Sequence, residues 1–452
     1  MTLGGSVEKI IRELIRLQTT PAAWRKPNDD FELPRMIDAG NGGSLIVSRA
    51  IDEGIVEVAD KLFVGNATLA PRYTRAEWRA AVRRSFGTAL ARIDLDDCPG
   101  TNAERVLAEI RNALDKHVSG HGPREFSFGC TLFGNTAVMP FRIGPVRFEP
   151  RLDWLARGYE KGAVSAVSRR RIETAWSGRK LRKRKPSLDS ISEIGILDAV
   201  GGCAFVCSVA ADRLGPASGQ EKALTAARLA TAAIALMWQT SSKALEGLNL
   251  LFDRTPHNQR ALTFVPGTVA LAGSSWSHMP HGPWLKTGQW EQVFSERAEH
   301  FSVVGDVLEY VLSPAGAVAR PRIMNTLAQA FLWFHEGCRE PVTLMAIVKF
   351  SAALDALACG RKAGGIRRLI SARLGIPESA AVRPDGTTLK QVIDEIYSDG
   401  RSRTIHGTNV KLGHDWTGTK SMAEQFARLG LLLCIDWATN NPSSDDPLQL
   451  AP

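Results

Sequence analysis

The spacing of apolar and polar positions changes character three times along this chain. Over the first 120 residues, apolar positions recur at helical period between polar loops. Val106, Leu107, Ile110, Leu114 and Val118 share one face of such a helix, with a capping box at Thr101-x-x-Glu104 ahead of them. Thr74-x-x-Glu77 is a second capping box, and 21–43, rich in Pro, Asp, Asn and Gly, reads as irregular. From Arg124 to Pro150 the period drops to two. Phe126, Phe128, Cys130 and Leu132 alternate with smaller or polar residues, and 140–143 and 146–149 flank Gly144-Pro145 as strands paired across a tight turn. A helix from Trp154, a strand within 199–210, a long helix over 218–245, and strands at 248–252, 262–265 and 268–271 complete a mixed region.

From Glu291 the helical period returns, and 313–316 (Ser-Pro-Ala-Gly) marks a boundary. A helix over 321–336 turns Ile323, Leu327, Ala330, Phe331 and Phe334 inward, and Gly337 ends it. The next, from Pro341 to Gly360, is apolar almost all round, as befits the middle of a bundle. Shorter helices over 366–374 and 389–397 precede a last one that opens on the capping box Ser421-x-x-Glu424 and carries Phe426, Leu429, Leu432, Leu433 and Trp437. The expected fold class is α+β: a mainly helical region (1–120), a mixed α/β region (121–312) and an all-α bundle (319–440).

Composition narrows this only a little. At 452 residues two or three domains are expected, and 44% apolar with 23% charged residues is ordinary for a globular protein. The net charge of +9 favours polyanionic partners as a tendency. Seven cysteines, an odd number without a Cys-x-x-Cys pair, read as reduced, mostly buried thiols in a cytoplasmic protein. The chain opens on an amphipathic helix bearing Glu8, Lys9, Arg12, Glu13 and Arg16 rather than on a signal peptide, and its longest apolar stretch, 223–238, is too short and too polar to span a membrane. No membrane partner is expected.

The chemistry points to one stretch, Ile396-Tyr397-Ser398-Asp399-Gly400-Arg401-Ser402-Arg403-Thr404-Ile405-His406-Gly407. An arginine supplies a fixed cation for a phosphate, and a histidine a group that moves protons near neutral pH. Together they suit phosphodiester cleavage without a metal. On a continuous α-helix a spacing of five would turn Arg401 and His406 about 140° apart. Convergence requires a helix break, which Asp399-Gly400 and Gly407 would favour, or a site where two surfaces meet.

Arg401-x4-His406, with Ile396-Tyr397 before it and Gly407 after it, resembles the signature of HEPN domains, in particular the Apea-like HEPN branch, whose motif runs Tyr-x-x-Arg-Ser-x-x-x-His-Gly. The resemblance covers about 319–440, and this chain has one extra residue between tyrosine and arginine. It implies a metal-independent endoribonuclease without cofactor, acting as a toxin or antiviral effector, with a homodimer building one composite site. His406 would then be the general acid or base at the RNA 2′-hydroxyl, Arg401 would stabilise the phosphate, and Ser402 would position it. It implies equally that the bundle can be a non-catalytic module holding RNA or a protein. From the residues alone, the motif also reads as a helix cap.

Asp355, in the most apolar helix, needs a partner: it orients Arg401 or His406, or it faces a solvent groove together with Ser351. Arg403 is a third cation beside the motif, gripping RNA or simply solvated, and His414 lies in an exposed loop. The run Arg169–Arg171, Arg179, Lys180, Arg182, Lys183, Arg184 and Lys185, with Trp176 inside it, has the makings of an RNA contact, although such a run is more often a solvated linker or helix face. His117-x3-His121 and His278-x2-His281 lack a third ligand, so no metal is expected. There is no phosphate-binding loop or nucleophile elbow, and Gly40-Asn41-Gly42-Gly43 lacks the preceding strand that a nucleotide loop needs.

Overall fold

The computed structural model describes residues 2–19, 35–134, 136–253, 258–263, 266–267, 271–276, 282–313, 316 and 318–451. Met1–Arg124 with Ala211–Lys222 form one compact unit, and Glu125–Ala210 with Ala223–Pro452 form another.

The first unit contains α1 (Leu3–Thr19), the hairpin β1 (Arg35–Asp38) and β2 (Ser44–Val47), and α2 (Arg49–Val64), α3 (Arg75–Leu90) and α4 (Pro99–Ser119). Ile11 and Leu14 of α1, Ile51 and Val58 of α2, Trp78 and Phe86 of α3 and Ile110 of α4 meet in one apolar core. The capping box Thr74–Glu77 forms at the start of α3. The one expected at Thr101–Glu104 does not: α4 already begins at Pro99, a residue pre-set for the first helical position. The stretch read as irregular holds β1, and Gly40-Asn41-Gly42-Gly43 is the turn between β1 and β2, with Gly40 and Gly42 in the left-handed region. A strand therefore does precede these glycines, but a strand rather than a helix follows. Residues 20–34 lie outside the described residues.

The second unit begins with β3 (Arg124–Thr131), β4 (Phe141–Ile143), β5 (Val146–Pro150), α5 (Arg151–Glu160), α6 (Ala166–Trp176), α7 (Leu188–Val200) and β6 (Phe205–Ala211). It continues through α8 (Pro216–Ala235, its first residues in the other unit), α9 (Ser241–Gly247), β7 (Asn249–Leu250), β8 (Asn258–Thr263), β9 (Leu271–Trp276), α10 (Gln289–Glu296) and α11 (Ala298–Leu312). One sheet runs in the order β4-β5-β6-β3-β7, and β8 pairs with β9. β4 and β5 pair antiparallel across Gly144-Pro145. Gly144 has a φ of +53°, and a Cβ there would sit 2.6 Å from Gly305 Cα on α11, so this turn requires glycine.

Other expectations shift. Residues 188–200 are helical and the strand starts only at Phe205, after the Gly201-Gly202 turn. The long helix expected over 218–245 breaks between α8 and α9, and the strand at 248–252 shrinks to two residues before a 3₁₀ turn. Of the strands placed around Pro266-Gly267, residues 264–265 and 268–270 lie outside the described residues.

The helical bundle comprises α12 (Pro321–Cys338), α13 (Thr343–Leu357), α14 (Lys362–Leu374), α15 (Leu389–Asp394), a π-helix (Glu395–Ser402), α16 (Arg403–Ile405) and α17 (Thr417–Asn440). The fold is thus α+β, with small sheets among many helices. α13 packs against α12, α17 and the π-helix, which explains why it is apolar all round. α17 starts four residues before Ser421. Glu424 does not cap its own helix but is buried, accepting hydrogen bonds from the Ser242 amide and hydroxyl (2.8 Å each) at the start of α9. Five of the seven cysteines are buried. No single helix among the described residues is long and apolar enough to cross a membrane.

Candidate active site

No break occurs at Asp399-Gly400. Helical conformation continues from α15 through the π-helix into α16, and the chain leaves it at Gly407, where φ is +69°. A π-helix holds more residues per turn than an α-helix, and such segments recur at functional sites. This one contains Tyr397 and Arg401, four positions apart. Residues at this spacing share a helix face, and both side chains come to lie together. Tyr397 Oη accepts a 2.8 Å hydrogen bond from Arg401 Nη1, and the guanidinium stands over the Tyr397 ring, 4.8 Å from its centroid. Gly400 packs against Ile347 of α13.

Asp355 reaches Arg401 from α13. Its carboxylate lies 3.5 Å from Nη2, too far for a good hydrogen bond, and also accepts a 2.9 Å bond from the Lys362 amide. The pair is largely shielded, with 25% of the Arg401 side chain and 14% of that of Asp355 exposed. Asp355 thus faces Arg401, not His406. Ser351, one turn earlier, is fully buried and faces no groove; its hydroxyl has no partner among the described residues. Burial, then the Asp355 charge, raise the Tyr397 phenol above its usual range, so it stays a neutral hydrogen-bonding group. Among the described residues, Arg401 Nη2 makes no hydrogen bond and the buried Nε has no acceptor. An unmet buried N–H costs about 1–3 kcal/mol.

Arg401 and Asp355 open onto a cleft of about 460 Å³ between α12 and α13. Arg322, Thr326, Gln329 and Trp333 line its other wall, spaced to lie on one face of α12. Sequence reasoning missed these four. The available signal was Trp333, a large aromatic off the apolar face of its helix, which is 42% exposed. Cys359 also lines the cleft; burial pushes its thiol up, away from the reactive thiolate.

His406 caps the end of α16 and is exposed, and among the described residues no hydrogen bond or ion pair holds its ring. It does not line the Arg401 cleft. Around it Ile405, Val410 and Leu412 are exposed by 54%, 86% and 67%. Ser402 contributes only its carbonyl, to the His406 amide at 3.0 Å. Arg403 pairs with Asp399 at 3.1 Å and is half exposed; His414 is exposed in its loop.

The basic run lies elsewhere. Arg184 pairs with Glu193 (2.9 Å) and Asp189 (3.2 Å), so it is not a free cation, while Arg179, Lys180, Arg182, Lys183 and Lys185 are exposed. Trp176 is half-buried against the Leu155, Val164 and Ile172 core, with the Arg151 guanidinium over its ring at 5.0 Å. His117 and His121 stack edge to face at 4.6 Å, and His121 Nδ1 lies 2.7 Å from the His117 carbonyl and 3.1 Å from Tyr73 Oη. Burial holds the His117 ring below its usual range. No third metal-ligating side chain joins them among the described residues. His278 and His281 lie outside the described residues. Compared with protein-family models, with curated proteins and with solved structures, the chain finds no match in any of the three.

Proposed function

We propose that the C-terminal bundle is a HEPN-type, metal-independent endoribonuclease that cleaves RNA by attack of a 2′-hydroxyl on the adjacent phosphate. The observation that supports it is Arg401, held by Tyr397 and Asp355 at the mouth of a cleft with donors left unmatched. A backbone phosphate in the cleft would take the Arg401 Nη2 donor, with a charge-assisted bond stronger than a neutral one. His406 would remove the 2′-hydroxyl proton. The new P–O2′ bond forms as the P–O5′ bond breaks, and a second proton donor protonates the leaving 5′-oxygen.

The next histidine in this chain, His414, is exposed in the loop after the motif and, like His406, does not line the Arg401 cleft. Exposed Ile405, Val410 and Leu412 around His406 support docking of a second copy, whose His406 would be that donor. This apolar surface comes from the loop around His406. The apolar residues of α13 and α17 are mostly buried within the bundle and are not available for it. The bundle carries sixteen Lys and Arg against eleven Asp and Glu over 318–440, which favours a phosphate backbone. The free His406 ring also favours a second reading, a module that holds RNA without cutting it.

The test is cleavage of single-stranded RNA in EDTA across a range of protein concentrations. The nuclease reading expects 2′,3′-cyclic phosphate ends, a specific rate that falls on dilution, and no cleavage by His406→Ala at an unchanged melting temperature. Binding without cleavage establishes the module instead, and an active His406→Ala variant overturns the role of His406.

A further inference from the structure

Helix α7 has two unlike faces. Inward, Ile196 and Leu197 pack on a small core of Leu155, Val164 and Ile172, and Glu193 is buried. Outward stand Leu188, Ile191 and Ile194, 85%, 65% and 58% exposed. Three large aliphatics at positions i, i+3 and i+6 form a stripe rather than the scattered exposure that any surface shows.

The basic run leads straight into this helix, whose N-cap is Ser187. Two arginines pin it down. Arg184 pairs with Asp189 and Glu193 of α7, and Arg171 of α6 pairs with the same Glu193 at 2.9 Å while donating to the Arg182 carbonyl at 3.1 Å. Arg179, Lys180, Arg182, Lys183 and Lys185 remain, all exposed and with no carboxylate partner among the described residues. Five free cations therefore adjoin three exposed aliphatics on a segment tied to α6 and α7.

We propose that α7 and residues 179–185 form a docking surface for an anionic lipid bilayer, lying in its interface without crossing it. Cations at the headgroups and aliphatics at the acyl boundary are the two halves of such a contact. RNA would use only the first half. Its phosphates would engage the lysines and arginines but leave Leu188, Ile191 and Ile194 in water, and base stacking would need an aromatic face, whereas Trp176 is half-buried with Arg151 over its ring. This surface is independent of the proposed nuclease site.

The full chain is sedimented with vesicles of phosphatidylcholine alone and with vesicles in which roughly a third of the lipid is phosphatidylserine. The expected result is binding at least about tenfold tighter to the anionic vesicles, lost at about 0.5 M salt. The triple variant Lys180→Ser/Lys183→Ser/Lys185→Ser and the double variant Ile191→Ser/Ile194→Ser should each weaken it about tenfold or more. All five positions are exposed, so melting temperatures should match the parent. Equal affinity for both vesicle types, or full binding by the isoleucine variant, overturns the proposal. So does a parent that ignores vesicles while the lysine variant loses affinity for single-stranded RNA, which assigns the run to RNA.

Discussion

Replacing Gly400 with alanine tests whether close packing of the π-helix on α13 sets the position of Arg401. A Cβ on Gly400 would lie 2.7 Å from Ile347 Cγ2, far inside van der Waals contact, and 3.4 Å from the Glu395 carbonyl oxygen. Ile347 is fully buried in the central helix and cannot swing aside. Overpacking of this kind costs about 1–3 kcal/mol. Against it stands the better helix propensity of alanine, worth up to about 1 kcal/mol. The net expectation is a loss of roughly 0.5–2 kcal/mol, read as a lower urea midpoint. A second variant isolates the cause. Ile347→Ala alone should cost about 2–5 kcal/mol, but it removes Cγ2, so Gly400→Ala added to it should become neutral or stabilising. If Gly400→Ala stabilises the parent, or costs the same in both backgrounds, the packing reasoning is wrong. On the proposed function, the single variant should also slow RNA cleavage, because the shift moves Arg401 away from Asp355.

Two further outcomes follow from the same structure. Arg401→Lys keeps the charge but loses the planar fork, so RNA cleavage should fall at least about tenfold with little change in stability; parental cleavage rates would remove Arg401 from the site. Burial pushes the His335 ring below its ordinary value against the opposing pull of Glu336 at 3.3 Å, whereas the unfolded chain titrates near about pH 6.5. Below that pH the unfolded state takes up a proton that the folded state refuses, so stability should fall as pH drops from about 6.5, by at most about 1.4 kcal/mol per unit, and His335→Gln should flatten the fall. Urea midpoints at about pH 7.5 and about pH 5.5 that shift equally in parent and variant would refute this.

The elements that were legible in the sequence carry redundant signals. α12 shows a clean 3.6 period, α13 shows apolar residues all round, and β4–β5 combines alternation with Gly144-Pro145. Failures came where one local pattern serves two structures. The Pro-, Asn- and Gly-rich stretch before residue 44 suited a loop and also the tight turn of a hairpin, and pairing of β1 with β2 decided between them. Ser421-x-x-Glu424 has the spacing of a capping box, yet Glu424 serves α9, far upstream in the chain. At the site, the identity of Arg401 was legible and its partner partly so, because a carboxylate in an apolar helix needs a cation. The π-helix was not. Asp399-Gly400 reads as a break, whereas Gly400 is small because Ile347 approaches it.

The motif therefore joins two side chains held in opposite ways. Arg401 is fixed by a ring, a hydroxyl and a carboxylate, all contributed from within the bundle. His406 stands at the end of the helical run with none of these supports. Proton transfer needs a donor or acceptor placed within hydrogen-bond reach of the moving proton. A free imidazole does not stay there unless something orients it, and this chain offers no such group beside it among the described residues. If the site is catalytic, the orienting contact has to arrive with RNA or with a second copy docked on Ile405, Val410 and Leu412. The two sources differ in their concentration dependence: orientation by RNA alone leaves the specific rate constant on dilution, whereas orientation by a second copy makes it fall.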